Sequence, residues 1–472
     1  MLKRWIIGRP LRTEQLKHEK LPVWKALPIL SSDAHSSQAY GTEQILLVLS
    51  AFGATALWYS LPITAAIVGL LALLIVSYRQ IIFQYPSGGG AYIVTSNHLG
   101  RFPELIAGAS LLVDYTLTCA VSVTAGAEAI TSAIPALHPH LTAISVGLVL
   151  LVMLVNLRGI RETGSIFALP PYLFIAGIFG MVIIGLANVF LDGIPEDAPP
   201  VSSTPPEGLT WFILLRAFSS GCSALTGVEA ISDSTPAFRS PETRNAARTL
   251  LLLGLLLGTM YAGTSLMAYL YHVTPSETET VLSQIAEHTF GRTLPYYYIQ
   301  TTTALILILA ANTSFTGFPI LASIMAKDQF MPRLFTVRGD RLNFTHGIIV
   351  LALAAIGLII LFEGDVHRLI PLYAIGVFLS FTLAQAGMVR LWLKTKQPGW
   401  LPKMVINALG AVITCIVLFI FAITKFTEGA WIVLLVIPLF VIAFYQIHRH
   451  YENIADEFGS IPVKINPSKK II

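Results

Sequence analysis

The feature that most constrains this chain is a succession of long apolar segments, each near the roughly 20 residues a helix needs to cross about 30 Å of hydrocarbon. Twelve spans are expected, near residues 24–51, 57–82, 103–134, 141–157, 165–191, 209–232, 247–272, 296–325, 346–362, 369–393, 404–424 and 430–447. Little chain is left between them. Of the 472 residues, 54% are hydrophobic and only 12% are charged, about half the charge of a soluble domain. Mean hydropathy is +0.71. Such a chain cannot cover several soluble domains with polar surface, so the expectation is an all-α polytopic membrane protein of 12 transmembrane helices. Residues 1–23 are expected as a cytoplasmic segment and 448–472 as a short cytoplasmic tail, too few for a folded domain.

Charge placement says more than the net charge of +4. With an even number of spans both termini share one side. That side collects 26 of the 30 Lys and Arg, among them Lys3, Arg4, Arg9, Arg12 and Lys17 near the start. The opposite side holds three, Arg292, Arg368 and Lys425, and Arg216 falls inside a span. By the positive-inside rule both termini are cytoplasmic, in a cell membrane. No basic block with interleaved aromatics suggests nucleic acid. Cys119, Cys222 and Cys415 are scattered in apolar segments, without disulfide or metal spacing. The basic N-terminus lacks the apolar core of a cleavable signal peptide.

Two spans are interrupted. The first contains SSDAHSSQAYG, Ser31 to Gly41, and the sixth SSGCSALTGVE, Ser219 to Glu229. Both put hydroxyls and carboxylates at membrane depth, where an uncompensated charge costs at least about 3 kcal/mol. Breaks at such depth free backbone groups that transporters use to hold substrate and ions. Interruptions in spans one and six, five helices apart, suggest two five-helix repeats of opposite topology, 24–191 and 209–393. A loop, 192–208, joins them, and two extra helices follow over 404–447. Small residues also allow tight helix packing, and for Ser, Gly and Thr alone that reading stays open. For Asp33 and Glu229 function is the better reading.

In the third span Asp114, Thr118 and Ser122 recur at i, i+4 and i+8, with Tyr115 three residues before Thr118, forming one polar stripe. Bonds from Thr118 and Ser122 to their own i−4 carbonyls are the competing reading for those two. Tyr373, after Pro371 in the tenth span, could add a phenolic oxygen or simply pack. Glu43 and Glu128 either reach the extracellular interface or pair with Arg216. His35, beside Asp33, is a possible proton relay. The glycine-rich stretch Pro86 to Tyr92 (PSGGGAY) lacks the Lys-Ser/Thr of a phosphate loop and reads as a tight non-helical link between spans two and three.

Carboxylates, hydroxyls, phenols and freed carbonyls are hard oxygen donors, unsuited to a transition metal and suited to an alkali cation. An amino-acid carboxylate is disfavoured because the first break has no glycine before Gly41 and carries Asp33. A cationic amine remains open. No nucleotide motif supports ATP-driven pumping, and no nucleophile–base pair or cofactor motif supports an enzyme.

The segments LKRWIIGRPL, ILSSDAHSSQAYGTEQIL, SYRQIIFQYPSGGGAYIV, GASLLVDYTLTCAVSVTAGAEAITSA and RAFSSGCSALTGVEAIS resemble the KimA-type branch of the KUP potassium transporter family, within the amino acid–polyamine–organocation superfamily. The resemblance implies a LeuT-type 5+5 inverted repeat with helices 1 and 6 broken, and potassium uptake coupled to protons. It implies that Asp33, Tyr40, Asp114, Tyr115, Thr118, Ser122, Thr226 and Tyr373 line a potassium path, and that Glu229 acts in proton coupling, with Asp33 and His35 as further candidates. His35 departs from the family pattern, where an aliphatic residue stands. Close relatives also continue into a cytosolic domain that supports dimerisation and regulation, so a homodimer and cyclic-dinucleotide control stay open here. The alternatives are an amino-acid or polyamine permease on the same scaffold and a membrane sensor that binds an ion without carrying it.

Overall fold

The computed structural model describes residues 20–88, 90–158, 165–193, 208–276, 278–339 and 341–459. The basic residues before Lys20, most of the 192–208 loop and the tail beyond Gly459 lie outside them. Among the described residues the chain is helical, with a single parallel bridge between Leu21 and Phe238.

The helices are α1 (Val23–Leu30), α2 (Ser32–Ser36), α3 (Gln38–Leu49), α4 (Ser60–Gln84), α5 (Ala91–His98), α6 (Arg101–Ala133), α7 (Leu141–Leu157), α8 (Ser165–Asp192) and α9 (Trp211–Gly221). They continue as α10 (Glu229–Asp233), α11 (Glu242–Leu270), α12 (Val281–Phe290), α13 (Leu294–Lys327), α14 (Thr345–Leu361), α15 (Val366–Thr395), α16 (Trp400–Thr424) and α17 (Trp431–Gly459). Ten helical stretches among the described residues are long and apolar enough to cross a membrane. Two expected spans fall short for different reasons. The first is divided into α1, α2 and α3, and α14 is apolar but has 17 residues.

Two short helices stand where the sequence reading has only links. α12 lies between the seventh and eighth spans, with Thr280 accepting from the backbone N–H of Ser283 at its start. α5 begins at Ala91, so the link from Pro86 is non-helical only as far as Gly90. Helices of eight and ten residues are too short for a rule that measures membrane thickness.

α6 and α13 pack against each other at the centre, and α15 lies along α6. A helix at the rim has a different surface. Along α16, Leu401, Val405, Leu409, Val412, Ile416, Phe419 and Ile423 form an exposed stripe at three- and four-residue spacing, the face a lipid-bathed helix presents. Its opposite side is tied by polar bonds. Ser77 donates to Asn407 at 2.6 Å, and Asn407 and Trp392 both donate to Gln80, at 2.8 and 3.1 Å. These bonds link α4, α15 and α16 where water cannot satisfy the groups.

Candidate cation site

The two interruptions take different forms. In the first, the backbone turns aside at Ser31, with φ −113° and ψ 12°, and the helix resumes immediately. Serines repair the ladder locally. Ser31 donates to the carbonyl of Leu27, Ser32 to Ile29 at 3.3 Å, and Ser36 and Ser37 to Asp33 at 2.8 and 3.1 Å. Such back-bonding bends a helix without unwinding it. The sixth span parts more completely. After a 3₁₀ turn over Cys222–Leu225, Thr226 is extended (φ −69°, ψ 158°) and Gly227 is left-handed at φ +77°. Glycine is what permits that conformation.

The two interruptions meet at Gly227. A Cβ there would lie 2.7 Å from Asp33 Oδ2 and 2.8 Å from the Ala34 backbone nitrogen. Ser37 and Thr226 share a hydrogen bond at 3.0 Å, and the Tyr40 hydroxyl donates to Ser37 at 3.0 Å. Tyr373, buried on α15, has its hydroxyl near those of Tyr40 and Thr226. Behind this cluster, the Tyr261 hydroxyl from α11 reaches the carbonyls of Gly41 and Gly221, at 3.2 and 3.1 Å. One side chain thereby clamps both interrupted spans.

On α6 the polar stripe faces the same region. Thr118 donates to the Asp114 carboxylate at 3.4 Å rather than to a backbone carbonyl. Asp114 lines the same cavity as Asp33 and Glu229. Ser122 is buried one turn beyond. Tyr115 packs on Gly317 of α13, where a Cβ would come within 2.5 Å of its ring.

Below the cluster is a cavity of about 340 Å³. Asp33, Asp114, Glu229 and Asp233 line it, together with Tyr115, and no described Lys, Arg or His does. Ser87, Gly88, Gly90 and Tyr92, in and just after the link between spans two and three, also line it, on the side that carries the basic loops. Asp33 Oδ1, Glu229 Oε2 and Asp233 Oδ1 are buried without a hydrogen bond. Four carboxylates thus converge on one cavity that no described basic side chain lines.

On the other side of Tyr40 lies a void of only about 10 Å³, bounded by Tyr40, Glu43, Glu128 and His367. It leads towards a larger vestibule of about 470 Å³ lined by Glu43, Glu128, Glu279, Glu363 and Asp365, with His138, His367 and Arg368. Glu43 lies 3.7 Å from His367 and accepts from the Val281 N–H at 3.3 Å. Tyr40 thus bounds the small outer void, and Ser37, Thr226, Thr118, Ser122 and Tyr373 are buried and line none of these cavities.

His35 stands apart from both. It is fully buried, with Nδ1 2.9 Å from the Ser31 carbonyl oxygen and Nε2 unbonded, and it lines neither cavity. Two contributors escape the sequence reading. Ser37 is hidden in a serine run. Asp233 carried a signal in its spacing: it follows Glu229 by four residues, one turn along the same helix face.

The amino acid permease family matches residues 21–444. The chain is 53% identical to the potassium transporter KimA of Bacillus subtilis (strain 168) over 457 residues, covering 97% of this chain and 75% of KimA. It is 22% identical to the low-affinity putrescine importer PlaP of Escherichia coli (strain K12) over 348 residues, covering 71% of this chain and 74% of the importer. The long apolar helices, the interrupted spans meeting at Gly227 and these matches lead to one classification: the chain belongs to the amino acid permease family, as a multi-pass membrane permease rather than an enzyme.

Proposed function

We propose that this permease carries potassium into the cell together with protons. The observation that carries the reading is the cavity bounded by Asp33, Asp114, Glu229 and Asp233 and by no described basic side chain. The buried cluster above it supplies neutral oxygens from Tyr40, Ser37, Thr226, Thr118 and Tyr373, the mixture that replaces the hydration shell of an alkali cation. The similarity to a protein named a potassium transporter points the same way. In this reading Asp33, Tyr40, Asp114, Tyr115, Thr118, Ser122, Thr226 and Tyr373 form the cation path, and Glu229 exchanges the proton. His35, outside both cavities, acts at most indirectly.

The same proposal includes twelve spans, with α1–α3 as the first and α14 as the ninth, arranged as two inverted five-helix repeats of the LeuT type over 24–191 and 209–393. Two further helices follow within 404–447. The basic side is cytoplasmic and holds both termini. The cavity then opens inward, and Tyr40 separates it from the outer vestibule.

The test uses the full chain in potassium-free liposomes containing a pH-sensitive dye and a permeant anion to balance charge. Potassium added outside is expected to enter and acidify the interior, and Glu229→Gln is expected to abolish the acidification. Potassium entry without acidification would replace symport by uniport. Absence of both would overturn the reading. Putrescine is the first competitor to try, because a cavity of about 340 Å³ has room for more than one bare ion and a putrescine importer is among the relatives.

A further inference from the structure

We propose that Asp233 forms a second cation station on the inner half of the path, between the central site and the cytoplasmic side; this rests on the reading of the protein as a cation importer. The motif behind it is the glycine-rich link from Pro86 to Tyr92. A Cβ on Gly90 would lie 2.7 Å from Asp233 Oδ1 and 3.0 Å from Oδ2, and one on Gly88 would lie 2.7 Å from the Asp233 carbonyl oxygen. Gly88 is also left-handed, at φ +94°. The link is therefore folded over Asp233 at a distance that only glycines allow. It places the carboxylate where the link lines the cavity, whereas Asp33 lies at the first interruption and Asp114 on α6.

Two further groups mark the place as a ligand site rather than an acidic cluster alone. Glu229, one turn before Asp233, is 6% exposed and its Oε2 has no hydrogen bond. Tyr78 of α4 is fully buried, its hydroxyl is unbonded, and it lies within electrostatic range of Glu229, Asp233 and Asp114. A fully buried hydroxyl without a partner is rare in a packed interior. Here it supplies a neutral oxygen within range of those carboxylates, complementing a dehydrating monovalent cation. A cation leaving Asp33 and Asp114 is passed to Asp233 and Glu229 before it regains water beyond the link.

Such a station governs affinity at the inner face more than at the outer one. The test measures potassium flux through the full chain in right-side-out and inverted membrane vesicles. For Asp233→Asn, half-saturating potassium at the cytoplasmic face is expected to rise at least tenfold, with less than threefold change at the outer face. Asp233→Glu is expected to recover most of the inner affinity. Gly90→Ala, which pushes the carboxylate aside, is expected to reproduce the one-sided shift in a chain that keeps all its charges. Equal shifts at both faces, or none in either variant, would overturn the station while leaving potassium transport standing. Wild-type vesicles that carry no potassium would remove both proposals together.

Discussion

Replacing Gly227 by alanine tests the contact between the two interrupted spans. At φ +77° any residue with a Cβ is strained by about 1–2 kcal/mol. The added carbon would also sit 2.7 Å from Asp33 Oδ2 and 2.8 Å from the Ala34 nitrogen, against an ordinary separation of about 3.5 Å. The carboxylate can swing away, but the backbone of α2 cannot without moving the interruption itself. Asp33 is thus displaced by close to 1 Å, and misplacement on that scale costs a positioned site roughly 100-fold. Gly227→Ala is therefore expected to lose about 1–3 kcal/mol of stability and nearly all potassium uptake. Gly69→Ala is the control. It lies within α4 with nothing inside 4 Å of its would-be Cβ, so uptake is retained and stability rises by up to about 1 kcal/mol. Uptake in liposomes and thermal unfolding in detergent give the two readouts. Wild-type uptake by Gly227→Ala, with an unfolding temperature no lower than that of Gly69→Ala, would refute the reasoning.

Other expectations follow from single side chains. Asp33→Asn and Glu229→Gln should each reduce potassium uptake by roughly 100-fold or more, matching the ~3 kcal/mol scale of a charge at membrane depth, while membrane protein levels on immunoblots stay normal. Tyr78→Phe keeps the edge-on contact with Phe381 and removes a hydroxyl that has no hydrogen bond. It should leave thermal stability equal or higher while weakening potassium affinity, measured as the KM of uptake. Tyr261→Phe takes a shared donor from the Gly41 and Gly221 carbonyls. A loss of about 1–3 kcal/mol should appear in thermal unfolding, and retention of full stability would show that the clamp contributes nothing.

Much of the architecture was legible because hydrocarbon imposes a length. Ten apolar stretches appear close to their expected positions, from α4 to α17, with ends a few residues longer or shorter. The elements that escaped were those without a membrane-length signal, α5 and α12. The interruptions were visible through their hydroxyls and carboxylates, but their geometry was not. Serines that look like a break at Ser31 and Ser32 in fact bond back to Leu27 and Ile29 and keep the first span near-helical. In the sixth span, Thr226 and Gly227 depart fully from the helix. The difference lies in the availability of a local acceptor and of a residue able to take positive φ.

By itself, the sequence determined the solvent, the approximate number of crossings and the side on which basic loops gather. Each of these depends on apolar length and charge count, quantities that add along the chain. It also located Asp33, Asp114 and Glu229, because a carboxylate in an apolar run is conspicuous wherever that run packs. Tertiary structure decided which groups meet. Thr226 reaches Ser37 across 189 positions, and Tyr261 joins Gly41 to Gly221. Tyr78, ordinary within its own span, has its buried hydroxyl within electrostatic range of three carboxylates from two other helices. Glycines that read only as a tight link fit closely over Asp233. Such contacts depend on how helices are rotated and apposed, and a helix's own composition leaves that rotation open until its neighbours pack against it.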